Sequence, residues 1–208
     1  MFEFIFGSSK YFFPAGPALV DAALAAGVSR FLQESVVMLY RDNVAGWINE
    51  TEPVERFVMS EGNLAAEANA NRFGKSGGAG VVFRFGWFYG PGATDSEEFL
   101  ETARKTGVCV MLGAPDTFLS SINDLDGGAA LAAVLNVPAG IYKIDDDEPL
   151  TKRKYSNAIA TAVGRKKPLL RFPGRLAAFV RRQNDVAYAL GSRQQQKISR
   201  CVRLGAAI

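Results

Sequence analysis

Residues 22–40, AALAAGVSRFLQESVVMLY, pass from a helix through a turn into a strand, and that order decides how the rest of the chain is read. Pro17–Ala26 (PALVDAALAA) is built of strong helix formers, with Leu19, Val20, Ala23 and Leu24 on one side and Gly27 placed to end it. Arg30–Ser35 (RFLQES) is short and apolar enough for a buried strand. Ser35 then falls at the C-terminal end of a parallel strand, where open α/β sheets place their ligands.

Working outward, the alternation continues. Residues 41–54 form a loop rich in Asp, Asn, Gly and Pro, with Trp47 and Ile48 embedded. A long helix is expected from about Val54 to Phe73, stopped by the glycines of Gly74–Gly80. Gly80–Phe85 (GVVFRF) is continuous and β-branched, as in a sheet covered on both faces. Asp95 with Glu98 predicts a capping box opening a helix that runs through Arg104. Val108–Leu112, Phe118–Ile122 and Gly140–Ile144 read as strands, and Ala129–Leu135 as part of a helix. Thr151 caps a helix that carries Tyr155, Ile159 and Val163 at four-residue spacing and ends at Gly164. Strand and helix in alternation predict an α/β fold with a parallel sheet. The pattern holds neither an internal repeat nor a low-complexity linker.

Composition narrows the chemistry. The chain has 208 residues, 48% hydrophobic and 22% charged, enough for one domain with a smaller appendage. It contains no histidine, which removes Ser-His-Asp and Cys-His catalysis and HExxH zinc chemistry together. Cys109 and Cys201 form no CxxC and read as buried small hydrophobes. No apolar run reaches the roughly 18 residues of a membrane helix, and MFEFIFG lacks the marks of a secretory signal, so a cytoplasmic protein is expected. The net charge of +3 is uneven: from Thr151 onward 14 Lys/Arg face Asp185 alone, and the rest is acidic. Those basic residues are spread along helical patterning, so attraction to the acidic remainder is the preferred reading and nucleic acid is not an expected partner.

Phosphate-gripping glycines are not convincing. Gly74-Lys75-Ser76 follows a helix where a P-loop follows a strand, and Gly90 and Gly92 lack a third glycine at Asp95. Both read as turns. Asp145, Asp146, Asp147 and Glu148 lack the spacing of a calcium loop and precede Pro149, so they read as a solvated turn, and no metal site is expected.

Four stretches nevertheless resemble one family. Ala22–Tyr40 resembles the AxxAGV…RFVxxSS segment of extended short-chain dehydrogenase/reductases, and Val82–Gly92 (VFRFGWFYGPG) their LRxxxVYGPG segment. Ser120–Ala130 (SSINDLDGGAA) resembles xxIHVDDxAxA, and Ala139–Gly164 resembles GxYNVxDDEPxTxxEYxxAxAxxxG. In order and spacing they identify a resemblance to the NAD-dependent epimerase/dehydratase family over residues 18 to about 180. The resemblance implies a partial Rossmann-like doubly wound sheet over 1–135, with a substrate-loop insertion at about 90–122. Residues 136–208 would be a small substrate-binding segment with a basic tail.

It also implies NAD or NADP as cofactor in full-length relatives, nucleotide sugars or similar carbonyl and hydroxyl compounds as substrates, and a homodimer through helices 17–26 and 54–73. Two departures stand against catalysis. The family's GxxGxxG loop would lie well upstream of the position of Met1, so tight cofactor binding by this chain is not expected. Aligning Leu64-Ala65-Ala66-Glu67 on the family's LxxE puts Met59 where the catalytic tyrosine belongs and Asn63 where the lysine belongs; a thioether moves no proton.

What the resemblance leaves for catalysis is Ser35, with Tyr40 as a substitute phenol or a packing residue. It assigns Phe85 and Gly86 to the cofactor, and Trp87, Tyr89 and Asp126 to the substrate pocket, the two aromatics alternatively packing in a core. Asn123 replaces the histidine of the third segment. The expected function is thus a truncated, degenerate NAD(P)-dependent epimerase/dehydratase-like protein, or else a non-catalytic ligand-sensing or oligomerising relative. Phe2, Phe4 and Phe6 alternate with Glu3 and Ile5 and are expected to lie along the otherwise open edge of strand 30–35.

Overall fold

The computed structural model describes residues 15–41, 43, 46–57, 60–109, 111 and 114–165, with the backbone of 170–171 and 197–198. Helix α1 covers 15–25 and closes through Gly27, whose φ of 69° is the left-handed conformation a helix cap demands of glycine. β1 (Arg30–Val36) follows, then a 3-10 turn at Val37–Leu39. β1, β3 (Ala79–Phe85) and β8 (Gly140–Ile144) form a parallel sheet in the order β1-β3-β8, running from Arg30 opposite Ala79 to Val36 opposite Phe85.

β3 is apolar throughout because both its faces are covered. Val81, Phe83 and Phe85 pack with Ile122, Ala130, Val134 and Ile144. That side is closed by α4 (Asp124–Ala133), whose N-cap Asn123 accepts from the Leu125 amide. Alternate residues of β3 turn to α2 (Ser60–Lys75), which buries Ala70 and Phe73 beneath the sheet; the Phe73 and Phe31 rings are 5.4 Å apart.

A second core lies beside the sheet. It joins Ala103 of α3 (Thr94–Thr106), Cys109 of β5 (Val108–Cys109), Leu119 of β6 (Phe118–Leu119), and Tyr155, Ile159 and Ala160 of α5 (Lys152–Ala162). Cys109 is buried there as expected; Cys201 lies outside the described residues. β4 (Trp87–Tyr89) pairs in parallel with β7 (Ser121–Asn123), and β6 pairs antiparallel with β9 (Leu150–Thr151). β2 (Trp47–Ile48) and β10 (Leu170–Arg171) are short strands, paired with β11 (Lys197–Ile198) and β5.

Several expectations need correction. The long helix starts at Ser60 and not near Val54: Val54 bridges Tyr40, and Ser60 Oγ accepts from the Phe57 amide while donating to the Phe57 carbonyl, closing a turn before the helix. The Asp95/Glu98 capping box does not form, because helix α3 already begins at Thr94 with Ala93 at its cap, which places Asp95 inside the first turn. Phe118–Ile122 splits into β6 and β7, which pair with different strands. The segment 136–208, expected as the substrate-binding part, begins with the strand that completes the sheet. The proposed edge strand at residues 2–6 and most of the basic tail lie outside the described residues. No helix among the described residues is long and apolar enough to cross a membrane.

Candidate functional site

Two polar clusters flank the junction of β3 and β4. Under the sheet, Ser35 Oγ donates to Glu67 Oε1 at 2.6 Å. Arg84 grips the same carboxylate with both arms of its fork, Nε to Oε1 at 2.8 Å and Nη2 to Oε2 at 2.7 Å. Ser35, Glu67 and Arg84 are respectively 1%, 9% and 3% exposed, so this is a desolvated, bidentate ion pair. The Arg84 guanidinium also lies 4.8 Å from the centroid of the Tyr40 ring. Burial pushes the Tyr40 phenol up; the Arg84 charge opposes this from over the ring, and the hydroxyl oxygen has no hydrogen-bond partner among the described residues.

The two residues expected to be catalytic are therefore brought together, but in the interior. Ser35 is committed to Glu67, and Tyr40 packs with Val37, Ile48 and Val54. Asn63 lies half-buried in α2, and Met59 is outside the described residues.

Phe85 and Gly86, expected at the cofactor, are both buried. Phe85 belongs to the sheet core. A Cβ on Gly86 would meet the Ser120 carbonyl oxygen at 3.1 Å and the Ser121 carbonyl carbon at 3.0 Å, so a side chain here would crowd the backbone where β3 crosses into β4 against the neighbouring strand. No open cradle for a pyrophosphate is left there. Neither of these two positions presents an open surface to a dinucleotide, and the Ser35 hydroxyl is already bonded to Glu67.

The second cluster opens to solvent. A cleft of about 1110 Å³ runs between α3 and α5, with Tyr89, Ser121 and Asp146 among its lining. Ser121 Oγ donates to Asp146 Oδ2 at 2.9 Å, and Tyr89 and Asn123 lie near the same carboxylate. Burial raises the Asp146 carboxyl above its ordinary value against the pull of these neighbours, none of them a cation. Tyr89 is pushed up to about 12, first by burial and then by the Asp146 charge. Tyr155 is raised by burial, with the Ser96 hydroxyl pulling the other way, and its ring meets Tyr89 edge to face at 6.5 Å.

Of the residues expected to bind substrate, Tyr89 lines the cleft. Trp87 is half-buried against the second core and stacks at 6.4 Å on Phe99. Asp126 is exposed in the first turn of α4, its charge felt by Tyr89 and Asp146.

The acidic run reads differently in three dimensions. Asp145 is 2% exposed and 3.2 Å from the equally buried Lys143 ammonium, so residues 145–148 are not simply a solvated turn: the strand carries the first carboxylates inward. Burial raises the Asp145 carboxyl to about 7 despite Lys143. Among the described residues no group of three or more metal-binding side chains comes together.

Comparison with known proteins fits this architecture. No family model matches the chain. By sequence it is similar to a 3-beta-hydroxysteroid dehydrogenase of Mycolicibacterium neoaurum, 34% identical over 76% of this chain and 47% of the relative. It is also similar to a 3-diazoavenalumate denitrifying reductase of a Streptomyces species, 28% identical over 72% and 51%. The chain spans about half the length of these curated relatives.

Among solved structures it resembles the UDP-glucose 4-epimerase of Thermotoga maritima, with TM-score 0.74, 17% identity, and 95% of this chain on 63% of that one. The dTDP-glucose 4,6-dehydratase of Streptomyces venezuelae, solved with NAD bound, gives 0.70, 19%, and 90% on 62%. The fold is thus that of the extended short-chain dehydrogenase/reductases. Within that class its structural neighbours are the NAD-dependent epimerases and dehydratases, as the four sequence motifs imply.

Proposed function

We propose that this chain is an NAD(P)-dependent epimerase/dehydratase-like protein in degenerate form, whose own residues hold a substrate and do not carry the hydride-transfer chemistry of its complete relatives. The observation that carries this is the contrast between an open cleft ending on Tyr89, Asp146 and Ser121 and a buried Ser35 hydroxyl already given to Glu67. In this reading Tyr89, Trp87 and Asp126 shape the substrate end, while Ser35 and Tyr40 hold the sheet to α2. The Rossmann-like part carries an insertion at about 90–122 and takes in β8, and the substrate-binding segment follows that strand. The epimerases and dehydratases it resembles act on nucleotide sugars by name, and the curated relatives are a dehydrogenase and a reductase, so substrates with carbonyl or hydroxyl groups fit. A cytoplasmic location is part of this reading, which the lack of a membrane-crossing helix among the described residues supports.

Titration of the purified chain with NAD(H) and NADP(H), followed by cofactor fluorescence, tests the reading. The expected result is no binding tighter than about millimolar, a free energy of only about 4 kcal/mol. Micromolar binding would mean that another segment supplies the pyrophosphate grip, and would overturn it.

A second reading, an oligomer through α1 and α2, draws support from their joined surface. Arg72 of α2 reaches Asp21 at 2.6 Å and the Pro17 carbonyl at 2.7 Å, and Leu19 stands 61% exposed beside them. Light scattering at micromolar concentration should give a dimer; a monomer mass counts against this surface.

A further inference from the structure

The chemistry of the cleft says more about its occupant than the fold does. Its volume of about 1110 Å³ lies at the upper end for pockets that enclose a drug-sized ligand. The long walls are apolar, Phe99 and Leu100 on α3 opposing Ala158, Ile159 and Ala162 on α5. The charged lining is one-sided: Glu97, Glu101, Asp146 and Glu148 stand with Arg104 alone. Lys105, which lies outside the lining, neutralises Glu101 at 2.6 Å, yet three carboxylates remain against one guanidinium.

A diphosphate entering between those walls would shed its water and meet net negative charge, two unfavourable terms of the same sign. The inner end selects for the opposite chemistry. Asp146 accepts from Ser121 Oγ at 2.9 Å, which fills one of the roughly four positions a carboxylate offers, and it faces the cleft. A further position takes a donor, and a hydroxyl is a donor that carries no charge into an apolar slot.

We propose that this cleft binds an uncharged, largely apolar ring compound that sets a hydroxyl on Asp146, in preference to a nucleotide sugar. The inference rests on the cleft being the substrate site and goes beyond that reading by fixing the class of substrate.

The experiment uses the full chain with Trp47→Phe, so that Trp87, stacked on Phe99 at the edge of the cleft, is the remaining tryptophan. Its emission is followed during titration with dehydroepiandrosterone, a neutral tetracycle with one secondary alcohol, and with UDP-glucose. The efficiency usual for ligands of that size predicts saturation by the steroid at about 10–100 μM, with no response to UDP-glucose up to about 1 mM. Asp146→Asn should weaken steroid binding about tenfold, the loss of one charge-assisted hydrogen bond.

Glu97→Lys combined with Glu148→Lys, both at exposed positions, should move the preference about tenfold or more toward UDP-glucose by reversing the sign of the lining. Saturation by UDP-glucose at concentrations equal to or below those of the steroid overturns the inference and leaves the substrate-site reading standing. Silence toward both overturns the two together. Neither probe contains a dinucleotide, so the cofactor titration succeeds or fails separately.

Discussion

Ser35, Glu67 and Arg84 under the sheet, and Ser121, Tyr89 and Asp146 at the cleft, are assembled from nearly the same parts: a carboxylate served by hydroxyl donors. The difference is a cation and water. Glu67 receives a bidentate guanidinium and a hydroxyl with all three groups at least nine-tenths buried. Asp146 receives the Ser121 hydroxyl, is paired with no cation among the described residues, and faces a cavity. A carboxylate matched by a buried arginine is finished as a structural element. One held up by neutral donors keeps an unused lone pair and an unsettled charge, the property a ligand can exploit.

The contrast can be broken at its strongest point by Glu67→Ala. This leaves Arg84 charged and unpaired in the interior and should cost about 3–5 kcal/mol in urea unfolding. Adding Arg84→Met should recover most of that loss. If the double variant is no more stable than the single one, the ion pair is not what holds α2 to β3.

Next comes pH. Asp145 has a folded pKa of about 7 against an ordinary value of 3.8, so its raised folded value favours the native state at low pH. That contribution is complete below about pH 4 and is lost as pH rises through 7, amounting to up to about 4 kcal/mol. Asp145→Asn should flatten the dependence of the unfolding midpoint between pH 5 and 8; an unchanged slope would show that the carboxylate is charged throughout, held by Lys143.

Ser35→Ala removes one hydrogen bond to a buried charged group and should cost about 2 kcal/mol in the same assay. A neutral result would mean that water or a rearranged partner serves Glu67. The smallest effect belongs to the cleft: Asp146→Asn should change stability by less than about 1 kcal/mol, because it leaves no buried charge stranded and the site stays wet. A loss as large as that of Glu67→Ala would erase the distinction between the two clusters.

Much of the sheet was legible in the sequence. Gly140–Ile144 is the observed strand to the residue, and Arg30–Ser35 and Gly80–Phe85 each fall one residue short. Covered parallel strands write their burial as unbroken apolar runs, which needs no tertiary information. The same run carries a further clue: Arg84 in GVVFRF is a charge in the middle of a buried strand and so requires a partner of opposite sign. Glu67, fixed by the LxxE alignment, was that partner.

The cleft was less legible. Tyr89 was found through the family motif, but Asp146 hid inside an acidic run ahead of Pro149, where composition points to solvent. What turns it inward is β8 ending against β7, with the Asp146 amide donating to the Ser121 carbonyl at 2.7 Å. That contact joins positions 25 residues apart and leaves no periodicity behind. The start of α2 differs from the expected one for a similar reason, since a turn closed by Ser60 and a bridge from Val54 to Tyr40 outweigh local helix propensity.

Gly86 ties the two regions mechanically. With only a hydrogen to fit against the backbone of Ser120 and Ser121, it acts as the fulcrum beyond which Phe88 turns to the sheet core, Trp87 to the second core and Tyr89 to the cleft. Exchange of Tyr89 beyond this turn would retune what the cleft holds, while Phe88 keeps the same short strand fastened to the sheet.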